Sequence, residues 1–287
     1  MPVRIERRDR ILTIVNSRPE VRNAVDPAQA DALYDTLIAF DTDEAADVTV
    51  FCGDGGAFCA GADLKSLATR GIATPDNAAT HRSLEFPEGE GPVPRGPMGP
   101  SRLRLNKPVI AAIEGPAVAG GMELALWADC RVMAEDAYMG VYSRRWGMPL
   151  TDGGTIRLPR LVGEGRALEL IMTGRKIGAD ECLRIGLCER VVPKSQARQA
   201  AEDMAQQIAR FPQLSLRADR RSVHLQYGLP ERAALEKEWD NCTGVFNAEG
   251  AAGAARFSMG AGRHGNFSDA LGANRMTSFT SPTDGHK

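Results

Sequence analysis

Short apolar runs and segments of helical period alternate along the chain to about residue 193, and helical spacing alone continues after that. ILTIVN (11–16), DVTVFCG (47–53), PVIAAI (108–113), RVMA (131–134) and ERVV (189–192) read as strands bounded by turn formers. Asp26-Pro27 predicts a helix start, with Asp as N-cap and Pro in the first turn, and Ala30, Leu33, Tyr34, Leu37 and Ile38 follow at helical spacing. Further helices are expected from Leu64, over 164–173 with Gly174 as the stop, and over 179–185. From Ser195 the pattern is helical to Ala209, and again from Gln213 to about Ala248. The stretch 138–155 (YMGVYSRRWGMPLTDGGT) reads as a loop, and 71–100 has no period, being rich in Gly, Pro and charge. Such a long irregular insertion is either a wall over a pocket or disorder without a role. The pattern predicts an α/β core over 1–194 and a helical region over 195–287.

Composition narrows the class. Hydrophobic residues make up 43% of 287 residues, enough for a sizeable core, and the net charge of −2 gives no general attraction to nucleic acid or to an anionic membrane. No apolar run is long enough to span a bilayer. The start, MPVRIERRDR, lacks the apolar core of a signal peptide. Six cysteines without a C-x-x-C pair read as buried free thiols rather than a disulfide scaffold, so a cytoplasmic location is expected. Four scattered histidines offer no metal-ligand spacing. Gly260-Ala261-Gly262-Arg263-His264-Gly265 matches a dinucleotide fingerprint but follows an expected helix instead of a strand, which excludes that reading.

The chemistry concentrates in NKPVIAAIEGPAVAGGMELALWADC (106–130), a strand, a glycine-rich turn and a helix start with Glu123 in its first turn. A helix start carries unpaired N–H groups and the positive end of a dipole. Gly120, without a Cβ, lets its N–H approach a ligand closely. A second small-residue turn, GGAFCAGAD (55–63), follows the 47–53 strand. If the two strands are neighbours, one N–H from each turn can converge on one oxygen, a donor arrangement worth roughly 2.7–4 kcal/mol per donor in a transition state. Asp63 is read here as the cap of the next helix.

FCAGAD (58–63), NKPVIAAI (106–113), GPAVAGGMELA (115–125) and LIMTG (170–174), in this order and spacing, resemble the crotonase superfamily, also called the enoyl-CoA hydratase/isomerase family. The likeness runs from about Val3 to Phe267. It implies a crotonase-like spiral of ββα units with a C-terminal helical region that builds homotrimers, often paired as dimers of trimers. It implies an acyl-CoA thioester substrate, no cofactor beyond the coenzyme A of that substrate, and an enolate held by two backbone amides. By position these are the amides of Ala62 and Gly120. Val21, Arg22, Ala60, Asp63, Leu64 and Lys65 would line the coenzyme A side, and Phe257 and Arg263 would reach it from the C-terminal region.

Family hydratases carry two glutamates. Glu123 occupies the first position and Ser143 the second, and serine does not donate a proton as a carboxylic acid does. Asp152, before Gly153-Gly154, stands where some relatives carry an active-site aspartate, so it is expected to face the acyl group opposite Glu123 or, alternatively, to cap the following turn. Arg144, Arg145 and Trp146 would pair with Asp152 or shape the acyl pocket. The expected activity is hydration of a 2-enoyl-CoA. Double-bond isomerisation, hydrolysis of a CoA thioester or β-diketone, and a binding or assembly protein without catalysis remain as alternatives.

Overall fold

A computed structural model of the protein describes residues 2–70, 84–89 and 91–262. Residue 1, the whole segment 71–83, residue 90 and everything from Arg263 onward therefore lie outside the described residues. The expected pocket wall over 71–100 falls partly among them, as do Arg263, His264 and Gly265 of the glycine motif.

The chain begins with β1 (Val3–Arg8) and β2 (Ile11–Asn16), then α1 (Pro27–Thr42), β3 (Val48–Gly53) and α2 (Leu64–Arg70). After these come β4 (Val109–Ile113), β5 (Pro116–Val118), α3 (Gly120–Trp127), β6 (Cys130–Ala134) and β7 (Tyr138–Gly140). Then follow α4 (Gly154–Val162), α5 (Glu164–Thr173), β8 (Ile177–Gly178), α6 (Ala179–Arg184), β9 (Arg190–Val192) and α7 (Ala197–Arg210). The main sheet has the order β1-β2-β3-β4-β6-β9, and β5-β7-β8 form a smaller one. Only β1 pairs antiparallel within the main sheet.

The parallel strands are covered on both faces, which is why ILTIVN and VIAAI are buried at every position and mostly apolar instead of alternating. α1 adds Leu33, Leu37 and Phe40 to the same core, and Asp26 caps it by accepting from the Gln29 N–H at 2.8 Å. The 138–155 stretch, expected as a loop, contains β7, a 3-10 turn over Tyr142–Trp146 and the start of α4. β7 is too short to show a period, and α4 hides behind Gly153-Gly154 and contains Pro159. β1 (VRIERR) lies on the sheet edge and is mostly exposed, so no apolar pattern marks it.

The chain divides into compact units at 209/210, not at 194/195. α7 belongs with the first unit because Ala197, Ala201, Met204 and Ala205 are buried in its core. The second unit holds α8 (Gln213–Leu225), α9 (Glu231–Val245) and α10 (Ala251–Ser258), with a π turn over Phe246–Gly250. The expected continuous helix is interrupted at Gly228-Leu229-Pro230, where Gly228 has φ +82°. Asn241 joins α9 to α8 by donating to the Ala218 carbonyl at 2.6 Å, and Glu249 accepts from the Ser215 N–H at 2.8 Å.

Candidate active site

The two glycine turns leave neighbouring strands. β3 and β4 pair in parallel from Thr49↔Val109 to Cys52↔Ala112, so the condition for convergence is met. The turns are then laced together. The N–H groups of Phe58 and Cys59 donate to the Pro116 carbonyl at 3.1 and 3.0 Å, and the Val118 N–H donates to the Cys59 carbonyl at 3.0 Å. The turns also touch at Gly61, which sits at φ +93°: a Cβ there would lie 2.9 Å from the Ala119 Cβ and 3.1 Å from the Gly120 nitrogen. A larger residue at 61 would push the turns apart. Ala119 itself holds φ +53° and ψ −126°, a conformation unusual outside glycine and a local strain just before the helix start.

Gly120 is the first residue of α3, where an N–H has no partner inside the helix. Ala62 is fixed by a bridge to Val25: the Val25 N–H donates to the Gly61 carbonyl at 2.8 Å, and the Asp63 N–H donates to the Val25 carbonyl at 2.9 Å. This leaves the N–H of Ala62 facing away from Val25, since alternate groups of an extended chain point to opposite sides.

Glu123 is buried in the first turn of α3. Its Oε1 accepts from the backbone N–H groups of Asp152 at 2.9 Å and Gly154 at 2.8 Å. Around it, Met122, Leu126, Val141, Leu150 and Leu158 line a narrow cleft. Burial, and then the charge of Asp152, pushes the Glu123 carboxyl up to about 7, against the pull of the two N–H donors and of Arg157. A carboxylate that gives up its proton near neutrality is suited to general base and acid work.

Asp152 is also buried, and burial raises its carboxyl above the usual range. Its Oδ1 accepts from the Met98 N–H at 2.9 Å and from the Ser101 hydroxyl, and its Oδ2 lies 3.4 Å from the Thr151 hydroxyl. It therefore anchors the 98–101 segment. It does not cap α4, whose start at Gly153 has no side-chain cap. Arg144, Arg145 and Trp146 are exposed, and the Arg145 guanidinium stacks on the Tyr142 ring at 3.6 Å. The guanidinium beside Asp152 belongs to Arg157, which the sequence reading did not single out, as it did not single out Ser101 or Met98. The Ser143 hydroxyl is buried and has no hydrogen-bond partner among the described residues.

The remaining expected residues separate into two groups. Val21, Arg22, Ala60, Asp63, Leu64 and Lys65 gather along the chain around Ala62, tied by the Ala60 N–H donating to the Arg22 carbonyl at 3.0 Å. Asp63 is a helix cap as expected: its Oδ1 accepts from the Lys65 and Ser66 N–H groups at 3.1 and 3.2 Å, and Arg18 pairs with its Oδ2 at 3.0 Å. Arg22 and Lys65 are exposed. Phe257 lies exposed on α10 in the second unit. Among the described residues no group of His, Cys, Asp or Glu is placed to hold a metal ion, and no helix is long and apolar enough to cross a membrane.

Fold and site together define an α/β class in which two strand–turn units meet beside a pair of buried carboxylates, Glu123 and Asp152. Comparison with known proteins agrees. The family model for enoyl-CoA hydratase/isomerase matches residues 6–87 and 100–259, and the chain belongs to that family, within the crotonase superfamily. It is 34% identical over 239 residues to enoyl-CoA hydratase EchA19 of Mycobacterium tuberculosis, covering 81% of this chain and 84% of the relative. It is 36% identical over 214 residues to a carnitinyl-CoA dehydratase of Salmonella typhi, covering 72% and 74%. The crystal structure of enoyl-CoA hydratase EchA1 from Mycobacterium marinum superposes with a TM-score of 0.79 at 32% identity, covering 90% of this chain and 96% of that one. The protein is thus an enzyme of this family with hydratase-like chemistry at the family level.

Proposed function

We propose that the protein adds water across the 2,3 double bond of a 2-enoyl-CoA. The observation that carries this is the buried Glu123 carboxylate, held by two backbone N–H groups and adjoining the turn of Gly120. The thioester oxygen lies between the amides of Ala62 and Gly120, which stabilise the charge that moves onto it. Glu123 takes a proton from water as the water oxygen bonds to C3. The resulting enolate then receives that proton at C2, again from Glu123, and the carboxylate is regenerated.

One carboxyl group can serve both steps because its pKa lies near neutrality, so neither proton position is strongly favoured. The role of second proton donor, expected for Asp152, has less support: its Oδ1 is taken up by Met98 and Ser101. The unpartnered Ser143 hydroxyl is suited to orienting the water or the new C3 hydroxyl. The exposed Arg22 and Lys65 are suited to the coenzyme A phosphates, Phe257 and Arg263 to its far end, and the reaction calls for no further cofactor. Exposed Leu235, Trp239, Phe246 and Phe257 on the second unit support self-association as a homotrimer or a dimer of trimers.

Isomerisation is the second reading, because a single carboxyl with a pKa of about 7 is also what a proton shuttle between C2 and C4 requires. The discriminating experiment is incubation of the protein with 2-butenoyl-CoA and with 3-enoyl-CoA, followed by chromatography that separates the 2- and 3-enoyl isomers and by mass spectrometry. Gain of one water from the 2-enoyl substrate supports hydration. Conversion of the 3-enoyl substrate without water gain, and no hydration of the other, overturns it.

A further inference from the structure

Asp152, Ser101 and Arg157 close a ring of hydrogen bonds, and Glu123 is attached to it through the Asp152 N–H. The Asp152 N–H donates to Glu123 Oε1 at 2.9 Å, and the Ser101 hydroxyl donates to Asp152 Oδ1. Arg157 completes it with one guanidinium: Nη1 donates to the Asp152 carbonyl at 2.9 Å and Nη2 to the Ser101 carbonyl at 2.7 Å. Both glycines after Asp152 make room for this ring. A Cβ at Gly153 would lie 2.3 Å from Arg157 Nη1, and one at Gly154 would lie 2.9 Å from Glu123 Oε1. A planar fork reaches two carbonyls at a fixed spacing, which an ammonium group cannot reproduce.

We infer that Arg157 is a positioning residue: by tying the Asp152 turn to the 98–101 segment it aims the Asp152 and Gly154 N–H groups at Glu123 and so holds the carboxylate in its working orientation and charge state. This rests on the proposed role of Glu123 in proton transfer and goes beyond it by naming what sets that group. Burial lowers the Arg157 pKa from its ordinary value, but guanidinium remains charged in the working range. Its charge, like the two N–H bonds it positions, favours the ionised Glu123. The other groups in reach are Asp152, which opposes ionisation of Glu123, Arg102, whose charge acts on Asp152, and Arg104 and Arg160, whose charges act on Arg157. The neighbouring Cys59 thiol, pushed up to about 12 by burial, stays neutral.

The test compares the wild type, R157K and R157Q. Glu123 is titrated directly by infrared difference spectra against E123Q, and kcat and KM for 2-butenoyl-CoA are measured across pH. In R157Q the Glu123 midpoint should rise by about one pH unit, a tenfold change in ionisation, with kcat at neutral pH lower by about tenfold or more and KM little changed. R157K keeps the charge and loses the fork, so it should recover most of the midpoint and only part of kcat. A folded R157Q with an unmoved midpoint and wild-type kcat overturns the inference. If R157Q does not fold, R157K decides: wild-type kcat overturns it, and a lowered kcat with a midpoint at or slightly above the wild-type one supports it. A midpoint that moves in an enzyme that hydrates no enoyl-CoA supports the positioning role while rejecting the hydration reading, so the two failures are distinct.

Discussion

Glu123 and Gly154 meet in a space that only glycine leaves open: Glu123 Oε1 accepts from the Gly154 N–H at 2.8 Å, and a Cβ on residue 154 would lie 2.9 Å from that same oxygen. The carboxylate on α3 is thereby locked to the first residue of α4. Its orientation depends on a backbone contact, so it should respond to changes at 154 that leave every titratable group in place.

G154A should therefore displace the carboxylate without removing it. The added methyl also meets Leu150 at 3.0 Å, so the turn has little room to give. We expect kcat for 2-butenoyl-CoA to fall by about tenfold or more with KM nearly unchanged, since ground-state binding of the thioester is left intact. Steady-state kinetics checks this.

E123Q removes the base and keeps the shape. Hydration should fall by roughly 10²–10⁴-fold, the usual contribution of general acid–base catalysis. Binding of the saturated acyl-CoA, measured by calorimetry, should persist, because the backbone amides proposed to hold the thioester are untouched.

The same group links pH to stability. Glu123 has its carboxyl raised from 4.5 to about 7 in the folded protein. The folded state then binds more protons than the unfolded one between these values. Its contribution to stability is fully present below 4.5 and is lost as pH rises through about 7, amounting to as much as about 3 kcal/mol. Thermal unfolding should show E123Q gaining on the wild type as pH goes from 5 to 8. Parallel curves for the two proteins would contradict the raised pKa.

D152N and R157Q should move the same carboxylate in opposite directions. Removing the Asp152 charge takes away a cause of the raised Glu123 pKa, so the acidic limb of the pH–rate profile should shift to lower pH. The Asn oxygen can still accept from the Met98 N–H, and activity near neutrality should be retained within about tenfold. A loss as deep as that of E123Q would instead make Asp152 a proton-transfer group.

Much of this site was legible in the sequence. Two glycine turns after apolar runs, with Glu123 beside one of them, marked the place, and pairing of β3 with β4 supplied the condition under which they meet. Asp63 as a cap and Asp26-Pro27 as a helix start follow from local hydrogen bonds, which a sequence window contains. What stayed hidden depends on tertiary contact. Arg157 reads as one more arginine in GTIRLPRLV, and Ser101 lies at the end of an irregular stretch. Their roles arise from the bond of Arg157 to the Ser101 carbonyl and of the Ser101 hydroxyl to the Asp152 carboxylate, contacts between distant parts of the chain that no local pattern encodes. The exposed edge strand β1 and the short β7 carried no apolar period. The sequence places α7 with the helical region that follows, whereas its buried face packs into the first compact unit, because an amphipathic face does not say which core receives it.

The central claim is that one carboxylate, Glu123, delivers both the hydroxyl and the proton of water. The most direct measurement is turnover of 2-butenoyl-CoA in D₂O, with the product identified by mass spectrometry and its stereochemistry by NMR. The account predicts 3-hydroxybutanoyl-CoA carrying one deuterium at C2, on the same face as the new hydroxyl, and formed roughly 10²–10⁴-fold more slowly by E123Q. Deuterium on the opposite face, or hydration by E123Q at the wild-type rate, would contradict it.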